Sequence, residues 1–352
     1  MSAKKTSPHP LHRVPLEAWR ELYLLAFQIG ALKPWEILGE LDIMGIQPIG
    51  AAEPLYASIM GEMGEFHGID FYIGNRAIAQ YWQMREDDHC PEMNISVLLN
   101  IPQFKVSYGS AAETHPEEKK LIRKLGHSPR GALAWPTLQS VRPGYAPWFL
   151  IDNEIEQLRG ALAKLLELLI YCEREQELPE TVTPFGTYQV YVEDPAAPGT
   201  WTLQPVRLPS FEVTRFTLDV PGDLMDKLAA IEQNQMELEL DLQVFPLLMG
   251  EENQRPELPH VLMIVEARSC FVLCTEVIHT TEGIELLYAE VPEKFLRTLE
   301  KHNIRPQTIH FTNPYLLQLL QEPCDILDIE LLLTDELPAL DDALQNLLEY
   351  FG

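Results

Sequence analysis

The chain has 352 residues, 46% of them hydrophobic and 22% charged, with a formal net charge of −27. That length exceeds one ordinary core, so two or three domains are expected, and the composition excludes a disordered chain. No apolar run approaches the ~20 residues of a membrane span, and five scattered cysteines do not make a disulfide framework. A cytoplasmic protein with no membrane contact is the expectation.

In chain order, residues 1–15 read as a frayed tail rather than a signal peptide. Leu16, Trp19, Leu22, Tyr23, Ala26 and Phe27 recur at helical spacing, which predicts a helix over 16–32. Strand-like runs follow at 42–49, 55–60 and 68–73, punctuated by glycines. Asn75 would cap a helix to about residue 85. Runs at 95–100 and 104–108 look like another strand pair. A helix with proline at its start and glycine at its end spans 116–125. Leucines and isoleucines over 154–175 line one face of a long helix. Residues 16–176 thus form a first α+β domain.

Residues 178–186 hold two prolines and a glycine and mark the expected linker. The charge changes there: 17 Lys/Arg against 22 Asp/Glu before residue 177, and 9 against 31 from it onward. Nucleic-acid affinity comes from neutralising phosphates, so a C-terminal half of −22 argues against a nucleic-acid partner. It fits solubility, or a partner with a basic face.

Strands are expected at 187–192, 201–208, 212–219 and 236–245, with a helix over 221–233. Residues 185–250 form a middle β-β-β-α-β segment. From 260 the pattern reads strand 260–266, strand 270–279, strand 284–288, helix 292–302, strand 307–312, helix 313–321, strand 326–333 and helix 338–351. This β-β-β-α-β-α-β-α order over 260–352 resembles the ribonuclease-H-like fold. The fold class is therefore α+β, with a mixed α/β C-terminal half.

Residues 126–150 are the most distinctive stretch. They pack Trp135, Tyr145, Trp148 and Phe149 among four prolines and three glycines. Proline fixes φ and glycine permits positive φ, so neither helix nor regular central strand is expected. The bland reading is a loop whose aromatics fill a small core. The functional reading is a recognition groove along Arg130, Trp135, Arg142, Tyr145 and Trp148. Trp, Tyr and Arg are enriched at binding hot spots, and guanidinium groups suit carboxylates. The partner would be a protein or an anionic ligand.

The Trp135-Pro136 to Pro147-Trp148 stretch, the Leu32-Lys33-Pro34-Trp35 turn and the Leu337-Pro338-Ala339-Leu340-Asp341 run span both halves. In them the chain resembles an uncharacterised bacterial two-part family of unknown function. The resemblance implies a two-part architecture and no particular activity.

The ribonuclease-H-like resemblance implies a further test. Nucleases of that fold gather carboxylates from the first strand, the fourth strand and a late helix around two divalent ions. Here they would be Glu266 and Asp341/Asp342. The fourth strand ends His310-Phe311-Thr312-Asn313 without an acid. Cys270 and Cys274, four apart on a strand, are too distant for one zinc. His89-Cys90 lies in an acidic run without ligand spacing, and Gly61 to Gly68 lacks the Lys-Ser/Thr of a phosphate loop. No metal or cofactor is expected. A non-catalytic binding or scaffolding protein is the leading expectation, and a divalent-metal-dependent nuclease the alternative.

Overall fold

The computed structural model describes residues 9–64, 66–86, 100–175, 182–183, 187–209, 222–244, 248–251, 253–278 and 284–351. Residues 95–99 of the run at 95–100, the run at 212–219, the His89-Cys90 pair and most of the linker over 178–186 lie outside the described residues. Among those described, no helix is long and apolar enough to cross a membrane.

The first unit opens with α1 (Leu16–Leu32), then β1 (Met44–Gln47), β2 (Leu55–Met60), β3 (Gly68–Ile73) and α2 (Gly74–Glu86). It continues with β4 (Gln103–Gly109), α3 (Pro116–Lys124), β5 (Trp135–Val141), β6 (Trp148–Phe149) and α4 (Asp152–Glu175). Short β7 (Val182–Thr183), β8 (Thr187–Glu193) and β9 (Trp201–Arg207) complete it. The strands join in the order β6-β5-β4-β3-β2-β1-β8, with β7 and β9 both against β8. All pairs are antiparallel except β1 with β8.

Alternation along the strands sorts the side chains. Leu55, Ala57 and Ile59 of β2 and Ile69 and Phe71 of β3 enter the core beneath α1 and α4. Tyr56 and Tyr72 point to the other face, where they meet Ile78 and Tyr81 of α2. Residues 10–14 are not a loose tail: Leu11 and Val14 are buried in the first core, and the His9 ring lies 4.8 Å from that of Phe149.

Two features of this unit differ from the expectation. Strands β8 and β9 belong to the first sheet, so 185–250 is divided between the two units. The cause is the non-local parallel join, which buries Tyr188 and Val190 beside β1. That join needs Gly45, because a Cβ there would sit 2.7 Å from Val190 Cγ2 and 3.4 Å from its Cα. Gly45→Ala should therefore cost about 1–3 kcal/mol, read as a lower urea midpoint with an unchanged slope. The second difference is β5, a regular strand despite Pro136. Its pairing with β6 covers only Gln139 and Ser140, so the proline sits where β5 is the sheet's outer edge and needs no N–H donor.

The second unit contains α5 (Gly222–Ala229), β10 (Glu237–Val244), β11 (His260–Glu266), β12 (Val272–Ile278) and α6 (Ile284–His302). β13 (Thr308–Phe311), α7 (Pro314–Ile326), β14 (Glu330–Leu333) and α8 (Pro338–Phe351) follow. The sheet runs β12-β11-β10-β13-β14, with β13 and β14 parallel to β10 and β11 antiparallel to it. The β-β-β-α-β-α-β-α order is present, but it starts at Glu237 and not at His260. The run at 284–288, read as a third strand, is the first turn and a half of α6, which continues through Pro292. Helices α5, α6 and α7 cover one face over Leu238, Leu240, Leu262 and Ile264; α8 covers Val261, Met263 and Val265 on the other.

Candidate functional site

The Trp/Pro stretch takes its course from the end of α3. Gly126, at φ 93, follows the helix, and His127 N–H reaches back to the Ile122 carbonyl at 3.1 Å. That six-to-one bond is a Schellman closure. It throws residues 127–134 across the C-terminal end of α1, where the His127 ring meets Phe27 at 4.3 Å. Gly131, at φ 127, turns the chain again before β5.

Between these segments lies a pocket of about 590 Å³. Phe27, Trp35, Tyr108 and His127 supply ring surface, and Gly30, Ala31 and Lys33 bring the end of α1 to the rim. Tyr108 is fixed by its hydroxyl, which donates to the Ala26 carbonyl at 2.8 Å, and burial pushes its phenol far above the usual range. Gly30 lies against that ring: a Cβ there would come within 2.5 Å of it. Lys33 stands in the left-handed region at φ 49, where α1 ends and the Pro34–Glu36 turn begins. Its ammonium pairs with Glu36 at 2.8 Å, both exposed. Arg130 also lines the pocket; it is exposed and has no hydrogen-bond or ion-pair partner among the described residues. No Asp or Glu is among the described residues that line the pocket.

The other residues expected in a groove are elsewhere. Trp135 is buried in the first core. Arg142 clamps a buried carboxylate: its Nε and Nη2 donate to Glu154 Oε1 at 3.1 and 2.5 Å. Glu154 also accepts from Ser140 Oγ at 2.9 Å and from Ile151 N–H at 3.0 Å. Arg255, from the loop joining β10 and β11 in the second unit, lies 3.8 Å from the same carboxylate and donates to the Ser140 carbonyl at 2.7 Å. Burial lowers the pKa of Arg255, and Glu154 opposes that shift.

Around this clamp the backbones of the two units are bonded. Ala146 N–H donates to the Pro256 carbonyl, Leu258 N–H donates to the Gly144 carbonyl, both at 3.0 Å, and Tyr145 forms a bridge with Glu257. Trp148 is half-buried, 5.1 Å from the Phe149 ring, beside a second hollow that Arg13 and Arg255 also line. Tyr145 thus lies in the junction of the two units with Arg142 and Trp148 beside it, and only Arg130 of the five faces the large pocket. Phe27, Tyr108 and His127 were not anticipated. The Leu32-Lys33-Pro34-Trp35 turn was the sequence signal that reached this place.

In the second unit, Glu266 shares its strand face with Leu262 and Ile264, beneath α6 and α7. Its carboxylate accepts from Ser269 N–H at 2.6 Å, and the Ser269 side chain, more than that N–H, holds its pKa low. Asp341 and Asp342 begin α8 on the opposite face, so they do not converge with Glu266. The acids near Asp341 are Glu239 and Asp241 of β10. Glu239 accepts from Leu340 N–H at 2.7 Å, and Asp241 accepts from Thr312 Oγ1 at 2.7 Å and from Leu242 N–H at 2.8 Å. Burial raises both pKa values, with Asp341 adding a smaller repulsion. Among the described residues, no three His, Cys, Asp or Glu are grouped to hold a metal ion.

Two family models match the chain. A domain of unknown function (DUF7309) covers residues 19–186, and a second domain of unknown function (DUF6930) covers residues 224–348. No curated protein and no solved structure is significantly similar to it. With one domain in each unit, the chain belongs to a two-part family of unknown function.

Proposed function

We propose that this chain is a non-catalytic cytoplasmic binding or scaffolding protein, with the Arg130 pocket as its binding site. The observation that carries this reading is the Arg130 guanidinium, without a partner and with no acid beside it among the described residues of an aromatic-walled pocket, in a chain of −27. Surface cations in so acidic a protein find partners readily, and Arg130 has none among the described residues. A volume of about 590 Å³ falls in the range of small-molecule sites.

The order and pairing of the second sheet support a ribonuclease-H-like reading of that unit. The separation of Glu266 from Asp341, and the neutral Thr312 and Asn313 that follow β13, favour a supporting role for it over nuclease chemistry. Single- and double-stranded DNA and RNA, incubated with Mn²⁺, should stay intact. Cleavage lost in Glu266→Ala or Asp341→Ala would replace the binding reading with the nuclease one.

The pocket itself is tested by plugging it. Ala31 is exposed on the last turn of α1, so Ala31→Trp fills the pocket without entering the core. In a thermal-shift screen of small organic acids and amides, some compounds should raise the wild-type melting temperature and lose that effect in Ala31→Trp. Equal shifts in both proteins would place binding elsewhere.

A further inference from the structure

On the reading that the Arg130 pocket is the site, we propose that its ligand is a small organic monocarboxylate with an aromatic or apolar body. Three observations lead to this class. The walls are rings: Phe27, Trp35, Tyr108 and His127 offer faces and edges against which a flat apolar body packs. Among the described residues of the lining, the one charge without a partner is the Arg130 guanidinium, whose planar fork matches one carboxylate through two parallel hydrogen bonds. Lys33 is already engaged by Glu36, so it adds little net charge.

The third observation decides between a carboxylate and a phosphate. The rim at Gly30, Ala31 and Lys33 is the C-terminal end of α1, which carries a partial negative charge. Phosphate sites use the opposite end of a helix, where free N–H groups point at the ligand. A dianion here would face roughly half a negative charge from α1 with one uncompensated cation to offset it. A monoanion held at Arg130, with its apolar body toward Tyr108 and Trp35, keeps the charge at the rim and the rings dry.

Calorimetric titration of the full-length protein tests this with three probes: 2-naphthoate, the neutral 2-naphthamide and inorganic phosphate. The variants are Arg130→Gln and Ala31→Trp, both at exposed positions, and both should keep the wild-type melting temperature. Naphthoate should bind the wild type, bind Arg130→Gln roughly tenfold or more weakly, and not bind Ala31→Trp. Naphthamide should bind the wild type roughly tenfold more weakly than naphthoate and be indifferent to Arg130→Gln. Phosphate should not bind.

If naphthamide matches naphthoate and both are lost in Ala31→Trp, the pocket stands and the carboxylate assignment falls. Arg130-dependent phosphate binding without naphthoate binding overturns the assignment in the same way. If neither aromatic probe binds the wild type, the carboxylate assignment falls, and a thermal-shift screen without an Ala31-sensitive compound removes the pocket as well.

Discussion

Glu154→Ala should destabilise the protein by about 3–5 kcal/mol, because it leaves two cations facing each other around an empty space. Glu154 is 1% exposed and is held by Arg142, Ser140 and Ile151 from the first unit and approached by Arg255 from the second. Removing one member of a buried charged network exposes the others to the full cost of desolvation without a counter-charge. Glu154→Gln retains an acceptor for Ser140 and Ile151 and should lose less. Arg142→Ala should lie between wild type and Glu154→Ala, since Arg255 remains beside the carboxylate. Urea denaturation gives the order directly. Equal midpoints for wild type and Glu154→Ala would mean that the clamp contributes nothing.

The same variants separate two meanings of the Trp/Pro stretch. Arg142 and Arg130 are twelve residues apart in one segment, and sequence gives them equal standing. Their surroundings differ because α4 delivers a buried carboxylate to one and α1 delivers an empty rim to the other. Loss of Arg142 should therefore lower stability, whereas loss of Arg130 should change binding alone. An acid in the first turn of a helix reads as a dipole complement, so nothing in the local pattern marks Glu154 as a clamp between units.

Local features were legible where one period ran uninterrupted. The helix over 16–32 and the strands over 55–60 and 68–73 have the bounds that their spacing implies. The reading failed where a short apolar run could serve two periods. Ile284-Glu-Leu-Leu-Tyr288 is too brief to distinguish strand from helix, and Pro292 resembles a helix start although it lies inside α6. That single misreading moved the first strand of the second sheet from β10 to β11. It also put the candidate carboxylate at Glu266, on the opposite face of the sheet from Asp341. The parallel join of β1 to β8 was invisible for a different reason. It links residues that are more than 140 positions apart, and no local pattern encodes such a pairing.

Glu118→Gln should remove one pH-dependent loss of stability from the protein. Glu118 is 3% exposed and accepts from Leu138 N–H at 3.2 Å and from the Tyr23 hydroxyl at 3.4 Å. Burial pushes its pKa up to about 7, against 4.5 ordinarily, and those hydrogen bonds offset only part of the shift. The sign follows from proton binding. Between about 4.5 and 7 the folded state holds the proton more tightly than the unfolded one. Stability from this group is therefore complete below 4.5 and is lost as pH rises through 7. A shift of that size corresponds to a loss on the order of 3 kcal/mol. Glutamine keeps the acceptor for Leu138 and cannot ionise. The difference in unfolding free energy between Glu118→Gln and wild type should therefore grow in favour of the variant from pH 5 to pH 8. Other titrating groups are common to both proteins and largely cancel in that difference. Parallel profiles across the range would show that Glu118 ionises at its ordinary pKa and that its site is wetter than its burial implies.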